Sequence, residues 1–359
     1  MQSMNKADRN RPARIYLSGV AGIALIAMFG IVPAHSATPC ATVITACGCV
    51  ITQPKIYTVA NNLNGVAGQS ICIEIAAAHS ILNLEGMRVI GNNAGTGIRI
   101  DQGADHVIVE GGNEADNDPP QNPSAGYLAA PTPRREAVVS QWNIGIEDDA
   151  DNAIIQLFDA IGGVPVLPSG HTPGNVTAGV VLNHVNRSLV GDLIASYNGK
   201  FGVLINNSSN VHIANITAGQ NGDTGLKLLT SDHNRIGPAS SPGNEKLGTW
   251  LFDSADNTMH DSISSGNMNT GIVVGCGLDK KNCPGYQQSN HNRILVISGA
   301  PGNKVAGIVI RKHSAGNLVT LTHNEGNGGK KMDMVDDNNK CDSNTWYNNT
   351  GARNQACIH

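Results

Sequence analysis

The hydrophobic pattern of the chain repeats at one fixed interval between residues 179 and 310. A glycine followed by alternating apolar residues opens every unit. Each opening lies 23 residues after the previous one, at Gly179, Gly202, Gly225, Gly248 and Gly271. Equal intervals of this length are typical of solenoids, in which every repeat buries its apolar face against its neighbours. The repeat therefore predicts the architecture of most of the chain.

Each unit has the periodicity of a strand. In Gly202-Val-Leu-Ile205 the side chains of Val203 and Ile205 point one way and that of Leu204 points the other way. A turn and a second apolar run, such as Val211-His-Ile213, complete the unit. This pattern predicts an all-β fold, a single-stranded right-handed parallel β-helix with about 23 residues per coil and disulfide-capped ends.

An asparagine follows each repeat glycine in the turn. Asparagine tolerates left-handed backbone angles, and its amide can bond the equivalent amide of the next coil. We therefore expect a ladder formed by Asn186, Asn210, Asn234, Asn257 and Asn317.

The start of the chain has the order of a secretory signal peptide. Basic residues precede an apolar run over Ile15–Val32, and small residues follow, so we expect cleavage after Ser36. An uncleaved membrane anchor is the alternative, because the run is about 18 residues long. Residues 37–70 are expected to cap the β-helix, residues 71–340 to form it and residues 341–359 to close it. Loop insertions are expected at 111–137, 162–174, 237–247 and 275–290.

Charge excludes one class of partner. The formal net charge of −4 becomes about −7 when the signal peptide, with four bases and one acid, is removed. No basic stripe remains to attract nucleic acid. We expect no transmembrane helix after signal removal and a location in the periplasm or outside the cell.

Eight cysteines follow the expected cleavage site. An even count in an exported chain favours disulfides. Proximity in sequence suggests the pairs Cys40–Cys47, Cys49–Cys72, Cys276–Cys283 and Cys341–Cys357. A redox or metal site at Cys47 and Cys49 is the alternative, but no clustered histidines accompany it, and we assign no metal.

The amino-terminal segment resembles the first coils of bacterial secreted right-handed parallel β-helix repeat proteins, which share the pectate-lyase-like superfamily fold. Cys49, Tyr57, Cys72 and the Leu84-Glu-Gly-Met-Arg-Val-Ile-Gly91 segment carry the resemblance, and residues 344–358 are similar to the closing segment of that group. The resemblance implies the fold and little about activity.

The outward positions of the strands predict two columns of side chains on one sheet. The first contains Arg99, Glu147, Val181, Leu204, Lys227, Trp250, Val273 and Val309. The second contains Asp101, Asp149, Asn183, Asn206, Leu229, Phe252, Gly275 and Arg311.

The charged end of these columns supplies candidate catalytic residues, namely Glu147, Asp149, Asp101 and Arg99, and we expect Asp148 and Asp151 to join them. Carboxylates beside an arginine serve a Ca²⁺-assisted lyase or a two-carboxylate glycoside hydrolase. No cofactor is assigned otherwise. A solvated acidic face is the alternative, and the Gly-His-Gly motif of polygalacturonase-like enzymes is absent.

The other end of the columns supplies candidate ligand-binding residues, namely Trp250, Phe252, Lys227 and Arg311. A Trp/Phe pair on a rigid sheet suits stacking against a sugar ring. The alternative is that the 237–247 or 275–290 loop covers the pair. The histidines, which lie at variable offsets from the glycines, are expected to be unrelated surface or turn residues.

Three functions remain open. The first is an exported protein that binds a glycan, or another extended partner outside the cell or in the envelope, on a loop-walled face. The second is a polysaccharide lyase or glycoside hydrolase acting on an acidic polysaccharide. The third is a structural element of the cell envelope. Whether the protein is an enzyme stays open.

Overall fold

The strands stack in three parallel sheets, because the chain returns to each sheet once per coil. The computed structural model describes residues 38–112, 137–158, 160–163, 174–276, 288–295, 302–320, 322–323, 327, 332–341 and 343–359. Within these residues no helix is both long enough and apolar enough to cross a membrane. The expected signal peptide lies outside them.

Sheet A has 12 strands, and sheet B has 14. The strands of sheet A are Thr38–Pro39, Cys49–Ile51, Ile71–Ile75, Thr96–Ile100, Ile144–Asp148, Ala178–Asn183, Phe201–Asn206, Thr224–Leu229, Leu247–Phe252, Thr270–Val274, Ala306–Ile310 and Met334–Asp336. The strands of sheet B are Val43–Ile44, Ile56–Val59, Ile81–Asn83, Ile108–Glu110, Ile154–Phe158, Leu189–Ile194, His212–Thr217, Arg235–Ile236, Ala239–Ser240, Thr258–His260, Ser262–Ile263, Arg293–Leu295, Leu318–Thr320 and Thr345–Tyr347.

Sheet C has fewer strands than the other two sheets. Along the chain, each of its strands follows a strand of sheet B and precedes a strand of sheet A. Its four strands are Leu63–Asn64, Arg88–Ile90, Val138–Ser140 and Ala160–Ile161. A 3₁₀ helix at Asn339–Cys341 precedes the last strand of sheet B. The predicted all-β parallel β-helix is confirmed.

The core is a stack of branched apolar side chains inside the coils. In one interior column of sheet A, Leu182 pairs with Ile205, and Ile205 pairs with Leu228. All three are fully buried. Each such side chain contributes about 1.5–3 kcal/mol on burial, so coils with few aromatic residues still form a continuous core.

The repeat glycines occupy one column of sheet A, as the repeat predicts. A Cβ atom added to Gly202 would lie 2.7 Å from the carbonyl oxygen of Gly225, and one added to Gly225 would lie 2.8 Å from that of Gly248. Real Cβ atoms do not approach a backbone oxygen so closely. Glycine is therefore needed at this position for one coil to rest on the next.

A buried asparagine ladder runs beside the glycine column, with one member four residues before each glycine from Gly179 to Gly307 and a last member, Asn327, that no such glycine follows. Its members are Asn175, Asn198, Asn221, Asn244, Asn267, Asn303 and Asn327. The Nδ2 atom of Asn221 donates to Oδ1 of Asn244 over 3.1 Å. The Oδ1 atom of Asn221 accepts from the backbone N and from Nδ2 of Asn198, over 2.9 and 3.1 Å. Each turn amide inside the coil is thereby hydrogen-bonded by the next coil.

The ladder that the sequence predicts exists only in part. Asn234, Asn257 and Asn317 bond their equivalents, together with Asn292 and Asn344. The assignment of Asn186 and Asn210 to this ladder is wrong. Asn210 lies one residue before the ladder position of its coil, which Val211 occupies, with its backbone N donating to Oδ1 of Asn234 over 2.8 Å. Asn186 lies two residues before that position, which Ser188 occupies in its coil. Asn210 is consequently exposed.

Parallel pairing extends beyond the expected boundaries of the β-helix. It begins at Thr38, which pairs with Cys49, and it reaches Tyr347, which pairs with Thr320. Residues 237–247 are not an insertion, because Ala239 and Ser240 pair in register with Ile216 and Thr217. The other expected loops, 111–137, 162–174 and 275–290, fall largely outside the described residues.

The amino-terminal disulfides correct the expected pairs. Cys40 bonds Cys49, and Cys47 bonds Cys72, with Cα–Cα distances of 4.8 and 4.3 Å. The coil geometry explains the exchange, because residues on adjacent coils lie closer together than residues along one coil. Thr38 on one coil pairs in register with Cys49 on the next coil. Cys40, only two residues after Thr38, therefore lies within reach of Cys49.

The expected Cys341–Cys357 bond is confirmed, with a Cα–Cα distance of 6.1 Å. The remaining expected pair, Cys276–Cys283, stays a prediction, because Cys283 lies outside the described residues.

We predict that Gly225→Ala lowers the free energy of unfolding by about 2–3 kcal/mol, the cost of overpacking a rigid interior. The new Cβ would lie 2.3 Å from the oxygen of Ala218 and 2.8 Å from that of Gly248. Urea denaturation followed by circular dichroism measures the change. Gly112→Ala is the control, because the nearest atom to its Cβ would be 3.7 Å away. Equal losses in the two variants would contradict the close stacking.

Candidate functional site

The candidate site lies on the outer face of sheet A, which we define by the two columns described above. Strand register places Arg99 beside Glu147, Lys227 beside Trp250, and Leu229 beside Phe252. The pairs between them follow the same register through Val181 and Leu204. Residues far apart in the chain are therefore neighbours on this face.

The four charged candidates come together at the amino-terminal end of the face. Arg99 Nε lies 3.0 Å from Asp101 Oδ1, and Arg99 Nη2 lies 3.7 Å from Asp149 Oδ2. Glu147 Oε2 accepts a hydrogen bond from the Thr96 hydroxyl over 3.3 Å. The arginine thus faces carboxylates on its own coil and on the next coil.

An asparagine joins the two central carboxylates. Asn183 Nδ2 lies 3.4 Å from Glu147 Oε1 and 3.2 Å from Asp149 Oδ1. Because both oxygens contact one nitrogen, they lie within about 7 Å of each other, a separation compatible with a catalytic carboxylate pair.

Two carboxyl groups at this end of the face, those of Glu147 and Glu74, have raised pKa values. Burial raises the pKa of Glu147, the negative charge of Asp149 raises it further, and Arg99 opposes the shift. A hydrogen bond with Asp101 is the main cause that raises the pKa of Glu74, which precedes Arg99 in the column, and burial adds to it. A carboxyl group that holds its proton at higher pH is suited to proton transfer.

Two expected members of this cluster are elsewhere. Asp148 is fully buried and pairs with Ile100 and Leu182 in the interior column. Strand alternation explains this position, because Glu147 and Asp148 are consecutive and face opposite sides. Asp151 lies in the following turn, where Oδ1 accepts from the backbone N of Asn186 over 2.7 Å. The expectation that both residues join the surface cluster is therefore wrong.

Asp148 is an ionisable group inside an apolar stack. Its Oδ1 accepts from the backbone N of Ala150 over 3.0 Å. Burial raises the pKa of Asp148 to about 7, although the bond from Ala150 opposes the shift. The carboxyl is therefore neutral in acid and charged in alkali while it remains inside the core.

An aromatic cluster stands at the other end of the face. The rings of Trp250 and Phe252 meet edge to face, with centroids 5.2 Å apart. Trp250 Nε1 donates to the carbonyl oxygen of Gly275 over 2.9 Å. This bond holds the indole in one orientation on the sheet.

Lys227 lies among three aromatic rings. Its Nζ atom is 4.3 Å from the ring centroid of Trp250, 5.2 Å from that of Phe201 and 5.8 Å from that of Phe252. Distances of this size give cation–π attraction. Burial lowers the pKa of Lys227, and the nearby Asp223 opposes the shift.

Phe201 is the site residue that the column pattern leaves out. It lies directly before Gly202, a position that holds alanine, threonine or leucine in the neighbouring coils. An aromatic residue at this position is the signal that would have identified it.

Arg311 lies apart from the aromatic cluster. Its Nη1 atom forms an ion pair with Asp337 Oδ2 over 3.0 Å. It follows Phe252 by two coils, a distance of about 10 Å at the usual strand spacing. Among the described residues, no group of three or more His, Cys, Asp or Glu is placed to hold a metal ion.

Some histidines share a column, contrary to expectation. His233 and His291 occupy equivalent turn positions, with Asp256 on the coil between them. His233 Nε2 and His291 Nδ1 each lie 3.9 Å from an oxygen of Asp256. Counted from the preceding glycines Gly225 and Gly248, both His233 and Asp256 have an offset of eight residues, so the signal was present in the sequence.

Comparisons with known proteins support the fold. A family model described as "Right handed beta helix region" matches residues 173–294. No curated protein matches the chain. The match over residues 173–294 and the parallel pairing of the strands together show the fold of a right-handed parallel β-helix.

Solved structures of the same architecture are distant in sequence. A double mutant of the periplasmic alginate epimerase AlgG aligns with a TM-score of 0.51 at 10% identity, covering 86% of this chain and 76% of that chain. Another structure of this epimerase has a TM-score of 0.41 at 14% identity and covers 72% and 58%. A DFA-IIIase from Arthrobacter chlorophenolicus A6, solved without its lid, has a TM-score of 0.42 at 9% identity and covers 84% of both chains.

The Dettilon tailspike protein aligns with a TM-score of 0.38 at 14% identity, covering 85% of this chain and 60% of that chain. The chain therefore spans about three fifths of the length of the epimerase structure with the TM-score of 0.41 and of the tailspike protein. These likenesses show the fold alone.

We predict that Asp148→Asn makes the protein more stable at alkaline pH and leaves its stability at pH 4 nearly unchanged. The folded-state pKa of about 7 exceeds the usual 3.8. The stability that the neutral carboxyl provides is therefore complete below about pH 4 and is lost as the pH rises through 7. The gain at pH 9 should be about 4 kcal/mol. Urea denaturation at several pH values measures it.

Asp149→Asn is the control for this prediction, because Asp149 follows Asp148 directly in the sequence but has its carboxyl on the outer face instead of in the core. Identical pH dependence of stability in the wild type and in Asp148→Asn would contradict the interior position of the carboxyl.

Proposed function

We propose that the outer face of sheet A binds an extended glycan outside the cytoplasm. The observation that carries the proposal is the strand register, which places carboxylates, amides and aromatic rings next to one another in the two columns. We call the stretch of both columns from Glu147 and Asp149 to Trp250 and Phe252 the row. From Glu147 to Trp250 the row climbs four coils, a length of about 19 Å at the spacing of parallel strands. A linear ligand lying along the helix axis would contact the partly exposed Glu147, Asn183, Lys227 and Trp250, whereas Val181 of the same stretch is buried.

The middle of the row is suited to hydroxyl groups. Asn206 Nδ2 donates to Asn183 Oδ1 over 3.3 Å, and Asn183 in turn donates to Asp149 and Glu147. Carboxylates accept hydrogen bonds, and amides both donate and accept them, so the row matches the mixed hydrogen bonding of a sugar ring. Because these side chains already hold one another, little side-chain freedom is lost when a ligand binds.

The aromatic end supplies an apolar contact. Trp250 is partly exposed and is fixed by its bond to Gly275, and Phe252 braces it edge to face. A fixed indole gains packing area at low entropic cost. Lys227, held against the same rings, places an ammonium group beside the stacked ligand.

The disulfides support an exported location. Cys40–Cys49, Cys47–Cys72 and Cys341–Cys357 tie the first and last coils. Such bonds persist in oxidising compartments. These bonds support our proposal that the protein is located in the periplasm or outside the cell.

One observation favours hydrolysis or elimination as a second candidate function. Glu147 has a raised pKa, and Asn183 holds it close to Asp149. A carboxylic acid beside a carboxylate is the pair that glycosidic bond cleavage requires. A lyase would in addition draw on Ca²⁺.

We expect glycan-array screening to identify a bound oligosaccharide, and titration calorimetry to show a loss of affinity of at least about tenfold in Trp250→Ala. A tenfold loss corresponds to about 1.4 kcal/mol, the scale of one stacking contact. Tyr347→Ala is the control, because Tyr347 is an aromatic residue of sheet B that is 60% exposed. A protein that binds no glycan would favour a structural role in the envelope.

If the protein cleaves its glycan, both Glu147→Gln and Asp149→Asn should lower the rate by at least about 100-fold, because proton transfer contributes that much. Reducing-end release and the absorbance of unsaturated products, measured with and without EDTA on a polysaccharide panel that includes alginate, distinguish hydrolysis from Ca²⁺-assisted elimination. Glu110→Gln on sheet B is the control. Activity that survives both changes would exclude this carboxylate pair.

A further inference from the structure

An open groove lies on sheet B and its preceding turn, separate from the outer face of sheet A. Its volume is about 610 Å³, within the range of small-ligand sites. The residues that line it come from consecutive coils: Asn210, His233, Asn234, Arg235, Asp256, Thr258, His260 and Leu295. The proposed function of sheet A does not use any of them.

The coil repeat builds this groove. Asn210, His233 and Asp256 follow each other in one turn column, and all have positive φ angles, of 56°, 59° and 55°. Two residues later in each coil, Arg235 pairs in register with Thr258. The groove therefore has a turn side and a strand side that rise together from coil to coil.

Arg235 is held in place from one side. Its Nε atom bonds His260 Nε2 over 3.2 Å, and His260 Nδ1 lies 3.0 Å from Asp261 Oδ2. A neutral His260 that carries its proton on Nδ1 satisfies both bonds, because Nε2 then accepts from Arg235. In the described part of the chain, the terminal nitrogens of this exposed guanidinium have no hydrogen-bond partner.

The positive charge of Arg235 acts on the neighbouring strand of sheet B. The pKa of His212, which pairs with Arg235 in sheet B, is lowered by burial first and then by Arg235 and His260. Among the described residues that line the groove, Asp256 is the one carboxylate, and His233 and His291 flank it at 3.9 Å each.

We propose that this groove binds a tetrahedral oxyanion, a phosphate or sulfate group, with Arg235 as its principal contact. The guanidinium offers a two-pronged, charge-assisted hydrogen bond to such a group. Further donors that line the groove are the His233 ring on the same coil and, on the two adjacent coils, the Asn210 amide and the Thr258 hydroxyl. Donors spread over three consecutive coils suit a tetrahedral anion better than a planar carboxylate.

The source of the anion is either a free inorganic ion or a phosphorylated or sulfated sugar. The test titrates inorganic phosphate, inorganic sulfate, glucose 6-phosphate, glucose 6-sulfate, glucose and galacturonate at constant pH and ionic strength. Ring C–H signals of His233 and His260 in NMR spectra report binding at the groove itself. We expect saturable shifts with phosphate or sulfate groups and none with glucose. Tighter binding of the sugar esters than of the inorganic ions would identify a sugar ligand.

Matched variants locate the contact. Arg235→Gln should weaken binding at least about tenfold, whereas Arg88→Gln, an exposed arginine of sheet C, should change it less than twofold. Asp256→Asn should strengthen binding several-fold, because it removes the one lining carboxylate. Trp250→Ala should leave it unchanged, so failure of the sheet A proposal is distinguishable from failure of this one.

Three results would overturn the proposal. They are an Arg235→Gln variant with wild-type affinity, the absence of saturable binding by every phosphate and sulfate probe, and galacturonate binding as tight as that of glucose 6-phosphate.

Discussion

The structure depends on how closely one coil can rest on the next. At the glycine column the backbone of each coil lies so close to a carbonyl oxygen of the following coil that a Cβ atom would clash with that oxygen. Beside that column, the amide of Asn221 bonds both the backbone and the side chain of its equivalents. The glycine permits the approach, and the asparagine pairs the turn amides that the approach buries. Unpaired, each such group would cost about 1–3 kcal/mol.

This stacking brings side chains that are far apart in sequence into contact with one another. Lys227 meets Phe201 and Trp250 because they stand on consecutive coils, and Asn183 meets Asp149 for the same reason. The groove at Arg235 arises in the same way on the other sheet. A single repeat therefore supports two faces of different character, one with carboxylates and aromatic rings and one with arginine and histidine.

Much of this arrangement can be predicted from the sequence. The 23-residue interval places Lys227 beside Trp250, and the shared position two residues after Gly97 and Gly145 places Arg99 beside Glu147, because strand alternation and the repeated glycine together determine the register. Alternation also places Asp148 in the interior, although a run of acidic residues suggested a surface cluster. The lesson is that the two-residue period of a strand outweighs the polarity of a single side chain.

Other features depend on contacts that the linear pattern does not contain. The Cys40–Cys49 and Cys47–Cys72 bonds follow from distances across coils, which separation along the chain does not reveal. Asn210 lies one residue and Asn186 two residues away from the buried ladder position, and so small an offset decides between the interior and solvent. Residues 237–247 contain prolines and glycines that suggested a loop, yet they keep the register of their neighbours.

Hydrogen exchange at the turn amides tests the stacked ladder most directly. The backbone N–H groups of Asn198, Asn221, Asn244 and Asn267 lie in turns, and each donates to the next asparagine Oδ1 over 2.8–2.9 Å. Residue-resolved exchange should place these four amides among the slowest of the chain, exchanging only with unfolding of the coils. Exchange as fast as that of solvent-exposed turn amides would contradict the account.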